Sequence, residues 1–249
     1  MSLPPSGDQF SISHGNQRVT VVEVGGGIRE YDDGDRPVLD PYPVQAICDG
    51  AHGAPLIPWP NRLADGRYRF DGRDFRLPLT EPEKGNAIHG LLRWRNWTAT
   101  QPSSDRVVVR NRLHPTDRWP FPLEVQITYR LEDSGLTVET TATNLGSQAC
   151  PYACGQHPYL SPGAGQTVDD CQLELRAATR ILTDAQRQLP SGQVAVAGSE
   201  VDFNPRRRIG AVQIDAAFTG LERESDGLAW VRLAGPDGRT VELWADQAY

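Results

Sequence analysis

Between residues 123 and 131 apolar and polar side chains alternate without a slip. Leu123, Val125, Ile127, Tyr129 and Leu131 form one set; Glu124, Gln126, Thr128 and Arg130 form the other. Successive side chains of a β-strand point to opposite faces, so the run predicts a strand with one dry and one wet face. Glu132-Asp133-Ser134-Gly135 follows, and then Leu136, Val138 and Thr140 alternate with Thr137, Glu139 and Thr141. That pattern predicts an antiparallel hairpin with a four-residue loop. A second hairpin is expected where residues 228–234 meet residues 240–246 through Gly235-Pro236-Asp237-Gly238, which has good turn chemistry. Shorter strands are expected at 19–24, 67–70, 74–79, 106–113 and 171–177, with loops or hairpin tips at 40–53 and 64–75. The 20 prolines and 24 glycines interrupt the chain every few residues, and no long 3.6-residue stripe survives between them. Strands at regular spacing with turn signals between them predict an all-β fold, a large antiparallel β-sandwich.

The 249 residues suit a single domain over 1–249, since large β-sandwiches reach that length undivided. A core of this size buries about three quarters of the unfolded surface, so no disulfide or metal staple is required. The formal charge of −7 argues against a nucleic-acid partner, which calls for a basic patch. No stretch reaches the roughly eighteen apolar residues of a membrane helix. The N-terminal residues lack the basic and apolar regions of a secretory signal. The expectation is a cytoplasmic protein with no membrane partner, its four cysteines held as thiols. Trp244 and Tyr249 fall in the last six residues, where chains are usually small, polar and frayed, so a missing C-terminal segment is expected.

Four islands carry candidate chemistry. Asn61-Arg62 follows Pro58-Trp59-Pro60, and the two prolines restrict the backbone ahead of the arginine. A guanidinium presents a rigid fork of donors to neighbouring oxygens. Trp59 reads either as a flat apolar face for a sugar ring or as plain core. His89-Gly90 closes the stretch from Gly85, and a residue without a Cβ lets a ligand or a second strand approach closely. His157 precedes Pro158 and Tyr159; the proline ring pushes the residue before it into extended geometry. An imidazole with an ordinary pKa of about 6.5 holds or releases a proton near neutrality. Asp215, in Ile214-Asp215-Ala216-Ala217-Phe218, accepts hydrogen bonds from adjacent hydroxyls or serves a turn. Taken singly, each has a plain reading as a satisfied core histidine, a solvated arginine or a turn aspartate. Cys150, Cys154 and His157, with Cys171 further on, raise a zinc set. On a regular strand the two cysteines face away from His157, and the tight paired spacing of zinc motifs is absent. Small buried thiols and no metal are the expectation.

In this order the islands resemble the aldose 1-epimerase (galactose mutarotase) family, from about residue 20 to the end of the chain. The resemblance implies a galactose mutarotase-like supersandwich whose concave face holds a small-molecule sugar. It implies a reaction that interconverts the α and β anomers of an aldose with no cofactor. It assigns His157 as the general acid that protonates the ring oxygen and His89 as the histidine that holds that region of the sugar. Arg62, beside Asn61, binds sugar oxygens, and Asp215 bonds to hydroxyls. One departure stands out. The family's general base is a glutamate in a Pro- and Asn-containing stretch after the segment that Val241–Asp246 resembles, and Glu242 lies inside that segment instead. Three other readings compete: a non-catalytic carbohydrate-binding protein on the same sandwich, a hexose-6-phosphate 1-epimerase with Arg67, Arg69, Arg73 and Arg76 near the phosphate, and a zinc protein.

Overall fold

The computed structural model describes residues 3–100 and 103–249. Among them there is no α-helix; two short 3-10 turns, Pro82–Lys84 and Val168–Asp170, are the helical residues. Among the described residues no helix is long and apolar enough to cross a membrane. The chain divides into two compact units, Met1–Tyr159 and Leu160–Tyr249.

In the first unit, the strands Gln9–His14, Gln17–Val22, Ile28–Asp33 and Arg36–Leu39 form an antiparallel sheet in chain order. A second antiparallel sheet runs Thr98–Ala99, Arg106–Leu113, Leu123–Glu132 and Gly135–Asn144, again in chain order. The apolar half of the alternation in 123–131 is realised as expected, with Leu123, Val125, Ile127, Tyr129 and Leu131 all essentially buried. Of the polar half, Thr128 departs from the expected wet face and is buried as well, opposite the buried Val108 of the neighbouring strand. Val107 and Val109 on the neighbouring strand, and Ile12, Val19 and Val21 of the first sheet, are buried with them. Each such side chain contributes about 1.5–3 kcal/mol on burial, which is why a two-residue period so firmly fixes the inner face. Tyr129 keeps its hydroxyl satisfied in this core by donating to Gly26 O at 2.6 Å.

The first hairpin turns more tightly than expected. Its ladder runs to Glu132 opposite Gly135, leaving Asp133 and Ser134 as a two-residue loop. Gly135 sits at φ +114°, where a Cβ is unwelcome, so the glycine absorbs the turn that a longer loop would otherwise have spread out.

Three two-stranded ribbons complete this unit: Pro55–Leu56 with Gly155–Gln156, Arg62–Ala64 with Asn86–Ile88, and Arg67–Phe70 with Arg73–Arg76. The expected strand at 74–79 stops at Arg76; Pro78, two residues on, has no N–H to extend a ladder.

The second unit has a four-stranded antiparallel sheet in the order Phe203–Arg208, Gln172–Leu175, Ala229–Ala234, Thr240–Ala245. Beside it stands a three-stranded sheet of Pro190–Ala195, Ala177–Thr183 and Ala217–Leu221. The hairpin expected through residues 235–238 is present, with Ala234 opposite Thr240. The strand expected at 171–177 is instead two, because the chain leaves one sheet at Leu175 and enters the other at Ala177. Cys171, Val201, Phe203, Ile209 and Leu233 form this unit's core.

Candidate active site

The ribbon Arg62–Ala64 with Asn86–Ile88 pairs Arg62 with Ile88, so Asn61 and His89 meet just beyond its end. They bind each other twice: His89 N–H donates to Asn61 O at 3.0 Å, and Asn61 N–H donates to His89 Nδ1 at 3.1 Å. Both residues are left-handed, at φ 60° and 62°. Asn and His are among the few residues that tolerate this region, which concentrates at functional sites. The Asn61 amide fixes the tautomer of the neutral His89 ring. Nδ1 accepts, so the proton is on Nε2 and that nitrogen is a donor.

Gly90 anchors the same corner. Its φ is +78°, and a Cβ there would stand 2.0 Å from Ile57 O. The amides of Leu91 and Leu92 donate to that oxygen at 2.8 and 3.2 Å. His157 is held from the other ribbon. Its N–H donates to Ala54 O at 3.1 Å, and its carbonyl accepts the Gly53 N–H at 2.9 Å.

These frames bring the two imidazoles edge to face, 5.6 Å between centroids at 81°. Burial is the main reason the His89 pKa falls to about 4, with His157, Arg93 and Arg62 adding positive charge nearby. Burial also lowers the His157 pKa, and His52 and Arg93 push the same way. Both rings are therefore neutral in the resting protein at neutral pH, so an acid role for His157 requires a ligand that raises its pKa.

Arg62 does not present an unengaged fork. Its Nε and Nη2 donate to the two carboxylate oxygens of Glu81 at 2.8 and 2.9 Å. Asn86 Nδ2 donates to Glu81 at 3.0 Å, and Lys84 lies 3.2 Å from it. The Arg62 hydrogen bonds hold the Glu81 carboxyl down at about 2. Nη1 reaches Asn61 Oδ1 at 3.4 Å. Arg62 thus ties the 61–62 corner to the 81–86 turn. Trp59 is 8% exposed and lies 6.0 Å from Trp119, so its ring belongs to the core and offers no open face. Asp215 lies in the second unit, exposed, accepting from Gln188 Nε2 at 3.0 Å. Cys150 and Cys154 belong to the first unit and Cys171 to the core of the second. Among the described residues no three His, Cys, Asp or Glu side chains gather as a metal set.

Several neighbours were invisible in the sequence. Tyr159 stacks on His157 at 5.2 Å and on His52 at 4.0 Å, the latter nearly parallel at 6°. Its hydroxyl donates to Gly50 O at 3.1 Å, and His52 Nε2 lies 2.5 Å from Asp40 O. Arg93 lies half-buried, with its guanidinium 4.8 Å from the Trp94 ring. Only the His-Pro-Tyr order hinted at any of this.

A family model described as aldose 1-epimerase matches residues 8–248. An uncharacterised Escherichia coli K12 protein, YihR, is 33% identical over 246 residues, covering 98% of this chain and 78% of that one. Human galactose mutarotase is 28% identical over 203 residues, covering 75% of this chain and 57% of its own. Among solved structures, a Caenorhabditis elegans GalM/aldose epimerase homologue superimposes with a TM-score of 0.77 at 17% identity. It covers 93% of this chain and 76% of its own. A Lactobacillus acidophilus galactose 1-epimerase gives 0.76 at 18%, covering 91% and 72%. These likenesses show an all-β galactose mutarotase-like fold.

Proposed function

The chain belongs to the aldose 1-epimerase family, and from that membership we propose that it interconverts the α and β anomers of a hexose by opening and reclosing the hemiacetal ring. The observation that carries the reading is the His89–His157 pair, two half-buried imidazoles 5.6 Å apart within one unit. In ring opening the C1–O5 bond breaks, O5 gains a proton, and O1 loses one as C1 becomes an aldehyde. Rotation about C1–C2 and the reverse steps give the other anomer.

The tautomer of His89 suits a donor that grips a sugar oxygen through Nε2–H and leaves proton transfer to its neighbour. His157 is the group that delivers the proton to O5. A sugar packed against it brings its oxygens to the ring as acceptors, and hydrogen bonding to the charged form favours that form. The proton on O1 needs a second acceptor. Glu81 is a poor one, because a carboxyl held near 2 and bonded to Arg62 has little affinity for a proton. In this account water takes that proton. Asn61 and Arg62 hold the histidine corner and meet sugar oxygens from it.

The neutral resting rings also favour a second reading, a protein that binds sugar without turning it over. Polarimetry of freshly dissolved α-glucose or α-galactose separates the two. The epimerase reading expects equilibration faster than the spontaneous rate and proportional to protein concentration. Binding by calorimetry with an unaltered rate would replace it with the second reading.

A further inference from the structure

We propose that Arg93, seated on the exposed indole of Trp94, selects an aldose that carries an oxyanion on its exocyclic carbon, whether a carboxylate, a sulfonate or a phosphate. The inference rests on the aldose reading above and names its substrate class. A guanidinium is charged at any working pH and offers five donors in a planar fork that matches oxyanions. Half-buried arginines ordinarily answer that demand with a carboxylate or carbonyls. Arg62 does so through Glu81, Arg29 through Glu30, and Arg232 through Glu224 and Glu242. Arg93 does not: among the described residues no ion pair or hydrogen-bond acceptor meets its guanidinium, and its contact is the Trp94 ring. Cys48 and Asp49 influence it only at longer range, and burial depresses its pKa.

Its location joins this unmet charge to the candidate chemistry. Arg93 follows Gly90 by three residues on the segment pinned to Ile57 O, and its charge acts on both His89 and His157. Trp94 is 45% exposed and gives the subsite an apolar floor. The alternative source of cations is weaker. Arg67, Arg69, Arg73 and Arg76 are exposed on their hairpin, where Arg69 lies 3.9 Å from Asp74, Arg73 covers Phe75 and Arg76 donates to Asp65 O. The exocyclic carbon is where an aldopyranose carries a charged group without losing a ring hydroxyl. An oxyanion against Arg93 also removes positive charge felt by both imidazoles, so such a substrate would bring His157 closer to its working range.

The test measures affinity and turnover separately. Calorimetry in a low-salt, phosphate-free buffer compares glucose with its 6-carboxylate, 6-sulfonate and 6-phosphate on the wild-type chain and on Arg93→Gln and Arg93→Lys. The proposal expects at least one anionic sugar to bind tenfold or more tighter than glucose. Arg93→Gln should bring that ratio near one, Arg93→Lys should keep part of it, and added salt should reduce it. The three anions tell which group the fork fits. Equal affinities for neutral and anionic sugars, or an unchanged ratio in a folded Arg93→Gln, overturn the proposal. Polarimetry on the same samples isolates the underlying reading. Acceleration of neutral sugars without anionic preference removes only the role of Arg93. Anionic preference with no acceleration of any sugar removes only the epimerase.

Discussion

His157→Ala is expected to lower the protein-dependent rate of mutarotation by about 10²–10⁴-fold, the contribution of a positioned acid. The variant should still fold. The His157 backbone keeps its bonds to Ala54 and Gly53, since neither involves the ring, and the side chain is only half-buried. His157→Gln sharpens the result. Glutamine preserves much of the volume and can donate a hydrogen bond, yet it cannot titrate. A Gln variant as slow as Ala assigns the loss to proton transfer; one near wild type shows that donation alone suffices and removes the acid role. Polarimetry at several pH values reads both variants against the spontaneous rate.

The largest loss of stability is expected from Gly90→Ala. Two costs coincide there. A left-handed φ of +78° costs an L-residue about 1–2 kcal/mol. The new Cβ would also stand 2.0 Å from Ile57 O and 2.3 Å from Ile57 C, backbone atoms that cannot swing aside. Overpacking of this kind adds about 1–3 kcal/mol. Together these are about 2–5 kcal/mol, a fall in melting temperature of roughly 10 °C for a chain of this size. Gly72→Ala is the matched control. Its φ is +72°, but the Cβ meets nothing within 4 Å, so only the conformational cost applies. Equal thermal shifts for the two would show that contact with Ile57 is unimportant. Because Gly90 adjoins His89, its variant should also lose turnover in whatever fraction remains folded.

The strands were legible where one period ran unbroken. In residues 123–131 the five apolar positions are buried as their spacing dictates, and residues 106–113 form the strand expected of them, though with Val107, Val108 and Val109 all buried. The hairpin loop at 133–134 was not, because its length depends on which residue takes a positive φ, and Gly135 was free to do so. The motif islands were legible as residue order: residues 61–62, 89 and 157 share one unit, and the two imidazoles meet. What the order did not contain was charge pairing. Glu81 is 19 residues from Arg62 and carries no pattern linking them, yet it determines what the arginine has left to offer. His52 and Tyr159 stack across more than a hundred residues for the same reason. Arg93 shows the converse, since an arginine without a carboxylate looks like any other until the fold is known. Trp59 reads equally as floor or core in sequence, and only packing against Trp119 decides it.

His89 and His157 are expected to face the sugar together, from a site that keeps both rings neutral until it binds. Imidazole NMR across a pH series, with and without a large excess of galactose, tests this most directly. In the free protein His89 should titrate near 4 and His157 below its ordinary value of 6.5. Added sugar should shift the ring signals of both while leaving His14, which pairs with Asp133, and the exposed His114 unmoved. Ordinary titration of both rings, or no response from either at saturating sugar, would contradict the account.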